Sequence, residues 1–196
     1  MRRLFGTVVL ASLAVLPACR GGGHARWENS SAVDAETLEV QVDASGRHTE
    51  VEYHISPDRV PAAVRKAMDR LHPGSAFDDA EKESHRGKLY YELSRKVNGM
   101  EVEAMFTPDG VLYSEEIQIP ASKVPEVVRS HAMSALSGGQ ATKWEEIRDG
   151  KREVTAYHVK MSRGRSKFKL MFAPDGKLEG IVREVPSEIE VPVEMK

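Results

Sequence analysis

Seven histidines, at positions 24, 48, 54, 72, 85, 131 and 158, and a single cysteine at 19 are the side chains best able to ligate a metal or attack a carbonyl. Their spacing assembles neither activity. No His-Glu-x-x-His pair, cysteine-containing ligand set or other tight ligand spacing occurs, and His48 and His54, six residues apart, are not required to converge on a hairpin. Asp43-Ala44-Ser45-Gly46 and the two Pro-Asp-Gly segments lack the alternating oxygen ligands and distal glutamate of a calcium loop. Glu115 and Glu116 are adjacent, so on a strand they point to opposite faces and cannot form an acid/base pair alone. With no Gly-x-Ser-x-Gly elbow, phosphate-cradling loop or dinucleotide fingerprint, the expectation is a non-enzyme with no metal and no cofactor. A small-ligand or metal-sensing module, motivated by the histidines, is the alternative.

The cysteine has a different chemistry open to it. Arg2 and Arg3 precede an apolar run from Leu4 to Ala18 that is too short to span a bilayer, the pattern of an export signal over residues 1–18. Leu16-Pro17-Ala18-Cys19 closes that run and resembles the lipobox of bacterial lipoproteins. The resemblance implies cleavage before Cys19 and acylation of its thiol, anchoring the chain to a membrane surface. No aspartate follows Cys19, which in such lipoproteins favours the outer membrane over inner-membrane retention. The expected location is therefore the cell envelope, on the outer membrane facing the periplasm. Gly21-Gly22-Gly23 opens a flexible tether over residues 19–35.

Cleavage would remove two arginines from 28 basic residues and leave 26 against 30 acidic ones. That balance excludes a nucleic-acid partner, whose phosphates require a concentrated basic patch. About 178 residues, from Cys19 to Lys196, suffice for one ordinary domain or two small ones.

The elements that must position these side chains are visible through self-comparison. Val60-Pro61-Ala62-Ala63-Val64-Arg65 returns as Val124-Pro125-Glu126-Val127-Val128-Arg129, and Phe106-Thr107-Pro108-Asp109-Gly110 returns as Phe172-Ala173-Pro174-Asp175-Gly176. Tyr91 returns as Tyr157, and one residue fewer before Trp144 sets that residue against Glu81. Asp58 and Ser122 are expected helix N-caps, with Pro61 and Pro125 in the first turn. Val60, Val64, Ala67, Met68 and Leu71, and Val124, Val128, Ala132, Ala135 and Leu136, are the two apolar stripes. His72-Pro73-Gly74 and Ser137-Gly138-Gly139 stop the helices.

Beyond each helix the period changes to two, through Leu89, Tyr91, Leu93, Val102, Ala104 and Phe106, and again through Thr155, Tyr157, Val159, Phe168, Leu170 and Phe172. One face is apolar and the other charged, which predicts an antiparallel sheet covered on one side by helices. Turn chemistry at Asn98-Gly99, at Gly46, and at Asp109-Gly110 and Asp175-Gly176 closes the hairpins. The fold expected is α+β: an N-terminal β-hairpin (36–56) as a half repeat, then repeats of a helix plus antiparallel hairpins over 57–120 and 121–186, in one continuous sheet of about ten strands. A C-terminal tail follows at 187–196, where Val191-Pro192 resembles the opening of a further helix.

This arrangement of a Val-Pro-x-x-Val helix, a Pro-Gly break, a Tyr-bearing strand, an Asn-Gly turn and a Phe-x-Pro-Asp-Gly hairpin resembles the PepSY-like domains of bacterial envelope proteins. Those share an architecture with the β-lactamase inhibitor protein, and the resemblance implies binding or inhibition of a secreted or envelope protein, including peptidases. If Val102 and Phe106 face the helices, then Tyr90, Glu92, Met105, His158, Lys169 and Met171 face away and form the expected partner-binding surface, where methionine supplies an adaptable contact. Lys160, Arg163, Arg165, Lys167 and Lys169 are expected to gather at one hairpin tip, and Trp144 to be a packing residue.

Overall fold

A computed structural model describes residues 37–74, 76–85 and 87–188. The export signal, Cys19, the tether and Val191-Pro192 lie outside the described residues. Ten strands form one antiparallel sheet whose spatial order follows chain order, β1 to β10. A first hairpin, β1 (Leu38–Val42) and β2 (His48–His54), leads to a 3-10 turn at Pro57–Arg59 and helix α1 (Ala62–Leu71). Four strands follow: β3 (Asp79–His85), β4 (Lys88–Val97), β5 (Met100–Phe106) and β6 (Leu112–Gln118). The same order then recurs, with a 3-10 turn at Ala121–Lys123, α2 (Glu126–Ala135), and strands β7 (Gln140–Asp149), β8 (Val154–Arg163), β9 (Ser166–Phe172) and β10 (Leu178–Glu184).

Why these segments take these forms is local. Val64, Ala67 and Met68 come round at helical spacing and are buried, while Arg65, Lys66, Asp69 and Arg70 lie outside the buried stripe. They meet Tyr53, Leu93, Ala104 and Phe106, every second residue of their strands, in one core. A second core joins Val128, Ala132 and Leu136 to Tyr157, Val159, Met161, Leu170 and Phe172. Burying each such large apolar side chain contributes roughly 1.5–3 kcal/mol before entropy is subtracted. Ala135, expected in the second stripe, is exposed in the last turn of α2.

The helix starts differ from expectation. Asp58 and Ser122 sit inside the two 3-10 turns, and the N-cap positions belong to Pro61 and Pro125, with no side-chain cap. A proline at φ −52° or −53° sets the extended-to-helical bend, so a capping oxygen is not what begins the helix. Trp144 also moves. It pairs with Val159 as Ala80 pairs with Leu93, so its counterpart by register is Ala80 and not Glu81. A slip of one residue would turn the indole away from the helices, and instead Trp144 packs against the second core, as a packing residue should.

Two contacts tie hairpin to helix. Gly110 and Gly176 hold φ of +84° and +85°, and a Cβ on either would fall 2.7 Å from the Ala63 carbonyl oxygen or 2.6 Å from a Val127 methyl. Both Asp-Gly turns are thus seated on the first turn of a helix. On the same side, Glu115 is fully buried and is held by His72 (Nε2 to Oε1, 2.7 Å) at the end of α1 and by Arg152 (Nε to Oε2, 2.9 Å). Arg95, also buried, bonds the His72 carbonyl oxygen and Asp69, both at 2.8 Å, and lies over the Phe77 ring.

Candidate functional site: the acidic face of the sheet

Directly opposed residues on antiparallel strands share a face, so the register shows what lies opposite the helices. Glu52 faces Glu83, which faces Tyr90; His54 faces Glu81, then Glu92, Met105 and Ser114. In the second half Gln118 faces Glu145, then His158, Met171 and Gly180, while Lys160 faces Lys169. Tyr90, Glu92, Met105, His158, Lys169 and Met171 all stand on this one face. They are less open than a simple exposed patch would be: Tyr90 is 5% exposed and the other five are half-buried.

The reason is curvature. Lys169 on β9 acts electrostatically on Glu50 and Glu52 on β2, and Lys160 on β8 acts on Glu81 on β3. Strands seven and five apart in the sheet order come within range only if the face curls in on itself, which makes it concave. The helices cover the convex side. β-Sheets twist intrinsically, and ten strands accumulate enough twist and coil to bend the whole layer.

Carboxylates dominate the concave lining. Glu50, Glu52, Glu81, Glu83, Glu92, Glu103, Glu116 and Glu145 all point there, countered by Lys143, Lys160 and Lys169. Burial, reinforced by Glu81 and Glu50, pushes Glu52 up to about 8. Burial with Glu116 beside it raises Glu103 to about 7, against the pull of Lys143. Burial, then Glu103 and Glu116, holds Glu92 well above the usual carboxylate range. Glu83 rises to about 10 through burial and the Glu50 carboxyl crowded beside it.

Other members of the face stand beside opposite charges. Burial acts to raise Glu116, but His158, whose Nδ1 lies 3.5 Å from the carboxyl, with Lys169 and Lys160 behind, outweighs it and brings that carboxyl down to about 2. Lys143 ion-pairs with Glu101, with Glu145 at 2.7 Å and with Glu103 at 3.5 Å, spanning three strands. The basic hairpin is divided between two environments: Lys160 and Lys169 turn onto the concave face, Arg163 lies over the Phe168 ring, and Arg165 and Lys167 are exposed. The five cations lie on the one β8–β9 hairpin but divide between its faces: Lys167 is on the side of Lys160 and Lys169, and Arg163 is on the opposite side.

Sequence spacing did not expose the groups that converge here. His54 meets Asp79 (2.8 Å) and Glu81 (3.4 Å) across the β2–β3 boundary, and His85 meets Glu50 (2.9 Å) across the same boundary and Glu83 (3.4 Å) on its own strand. The signal present was the alternation Glu50-x-Glu52, Glu81-x-Glu83 and Glu101-x-Glu103, which places like charges on one face once the register is known.

No family model matches the chain, and no curated protein is similar to it in sequence. Among solved structures it is similar to a candidate periplasmic protein of Bacteroides eggerthii, with a TM-score of 0.51 and 18% identity over 63% of this chain and 88% of the other. That likeness is one of fold. Weaker likenesses are a BLIP-like protein of Bacteroides fragilis (TM-score 0.49, 18% identity, 69% and 94% covered) and a DUF2874 family protein of Bacteroides uniformis (TM-score 0.48, 20% identity, 63% and 88% covered). Among the described residues no helix is long and apolar enough to cross a membrane.

Proposed function

We propose that this protein is a non-catalytic envelope lipoprotein, built from two helix-plus-four-strand repeats and a leading half repeat, that holds a cationic segment of another envelope protein or peptide against its concave face. The observation that carries the reading is the crowding of Glu52, Glu92, Glu103 and Glu116, all half-buried, on one face of the sheet, which raises the first three. Carboxyls crowded together out of water resist ionisation, and an arriving lysine or arginine removes that resistance by supplying the missing counter-charge. Met105 and Met171, both half-buried, add apolar area that a partner side chain can cover. The likeness of fold to a candidate periplasmic protein supports the location, and the lipobox-like Leu16-Pro17-Ala18-Cys19 supports the anchor. Binding or inhibition of a peptidase is the finer form of this role that the PepSY-like resemblance implies.

A pull-down from envelope extracts tests it, using the chain from residue 19 and a Glu92→Gln/Glu103→Gln variant. The expected result is a discrete protein retained by the unaltered chain and lost, or retained several-fold less, by the variant. Reproducible absence of a specific partner, or capture indifferent to the two substitutions, would contradict the role.

A further inference from the structure

Among the described residues, three groups of histidine and carboxylate on the concave face bring one ligand atom from each residue within 4.8 Å of the others: Glu50, Glu83 and His85; His54, Asp79 and Glu81; and Glu116, Glu145 and His158. They are not equivalent. In the third, Lys143 Nζ stands 2.7 Å and Lys160 Nζ 3.5 Å from Glu145 Oε1, so ammonium groups already take the place a cation would fill. The second lies toward solvent, with the Asp79 side chain 47% exposed, where water competes for every ligand.

The first group is built differently. Glu50 on β2 stands directly across from His85 on β3, and Glu83, two residues before His85, projects from the same face. Glu83 is 2% exposed, yet its buried Oε1 has no hydrogen-bond partner; it is aimed at His85 Nδ1 from 3.4 Å, while that nitrogen is engaged by Glu50 Oε1 at 2.9 Å. A buried carboxyl oxygen left without a partner forfeits the hydrogen bonds it made to water, so a fold does not keep one without something that offsets the loss. A structure that keeps such an oxygen pointed at an imidazole nitrogen and a second carboxylate has the donor set of a metal site. Tyr90, edge-on to the His85 ring with centroids 6.5 Å apart, helps fix the ring's orientation.

We infer that Glu50, Glu83 and His85 bind a divalent transition-metal ion, with Glu50 and Glu83 oxygens and His85 Nδ1 as ligands and the remaining positions left to water. Two carboxylates and one imidazole suit Zn²⁺ and its neighbours, which accept mixed oxygen and nitrogen donors, better than Ca²⁺, which prefers six or more oxygens. Rigid strands hold all three residues, so the site needs no loop to close.

Isothermal titration of Zn²⁺ into the full chain tests this, alongside Glu83→Gln, His85→Asn, His54→Asn and His158→Asn, each checked for native circular dichroism. The expected result is Zn²⁺ affinity lowered by roughly tenfold or more in Glu83→Gln and His85→Asn, and unchanged in His54→Asn and His158→Asn. Absence of Zn²⁺ binding, or binding lost only when His54 or His158 is replaced, would overturn the assignment. Co²⁺ bound to the unaltered chain gives a readout that needs no variant: the His85 imidazole resonances should show the paramagnetic shift. A shift confined to other histidines would equally overturn it.

Discussion

Gly110 shows what single residues do in this fold. Its left-handed backbone is one demand and the Ala63 carbonyl oxygen, 2.7 Å from where a Cβ would lie, is another. Gly46 has a similar φ, +80°, but open space around it. Gly46→Ala should therefore cost only the conformational strain, roughly 1 kcal/mol, while Gly110→Ala should cost about 2–3 kcal/mol because the turn must also lift off α1. Urea denaturation of the two variants checks this, and equal losses would show that the hairpin is not seated on the helix. The turns themselves were legible, since Pro-Asp-Gly and Asn-Gly carry their geometry in their chemistry. What the glycine packs against was not. Likewise Glu115 and Glu116 were correctly assigned to opposite faces, but only the structure gives Glu115 its partners, His72 and Arg152, which lie 43 and 37 residues away.

At the scale of strands, the acidic rows give the sheet an unusual pH response. Unfolded glutamates titrate near 4.5, whereas Glu103 and Glu52 in the fold hold their protons to about 7 and about 8. Between those limits the native state binds more protons than the unfolded chain, so stability falls as pH rises through the window, and Glu83, raised to about 10, extends the fall above it. His54, raised by Glu81 and Asp79 in spite of its burial, acts in the same direction, losing its contribution as pH rises. Glu116, down at about 2, acts oppositely, and its contribution is lost as pH falls below 4.5. The melting temperature should therefore be higher at pH 5 than at pH 8.5, and Glu103→Gln should narrow the difference. Calorimetry at the two pH values decides it; a melting temperature that climbs toward pH 8.5 would refute this electrostatic account. Period-two alternation had marked these strands as apolar on one side and charged on the other. It could not give the partners across the face, because register and curl are properties of the assembled sheet and of no single strand.

As a whole molecule, the chain has a helix-covered convex side and a half-buried acidic concave side, with a lipid anchor proposed at Cys19 beyond the described residues. Cys19→Ser should move the protein from the membrane fraction to the soluble envelope fraction and abolish palmitate labelling; labelling that survives would place the acylation elsewhere. Helix count, ten strands and the side facing the helices could be read from the sequence because periodicity and turns specify them locally. The concavity, which converts a charged face into a place to hold something, arises only when all the strands add their twist. The most direct test of the central claim is site-specific photo-crosslinking in intact cells, with the crosslinker placed at Met105 on the concave face or at Met133, 48% exposed on α2. A discrete protein adduct is expected from position 105 and none from 133. The same products from both positions, or adducts from 133 alone, would contradict it.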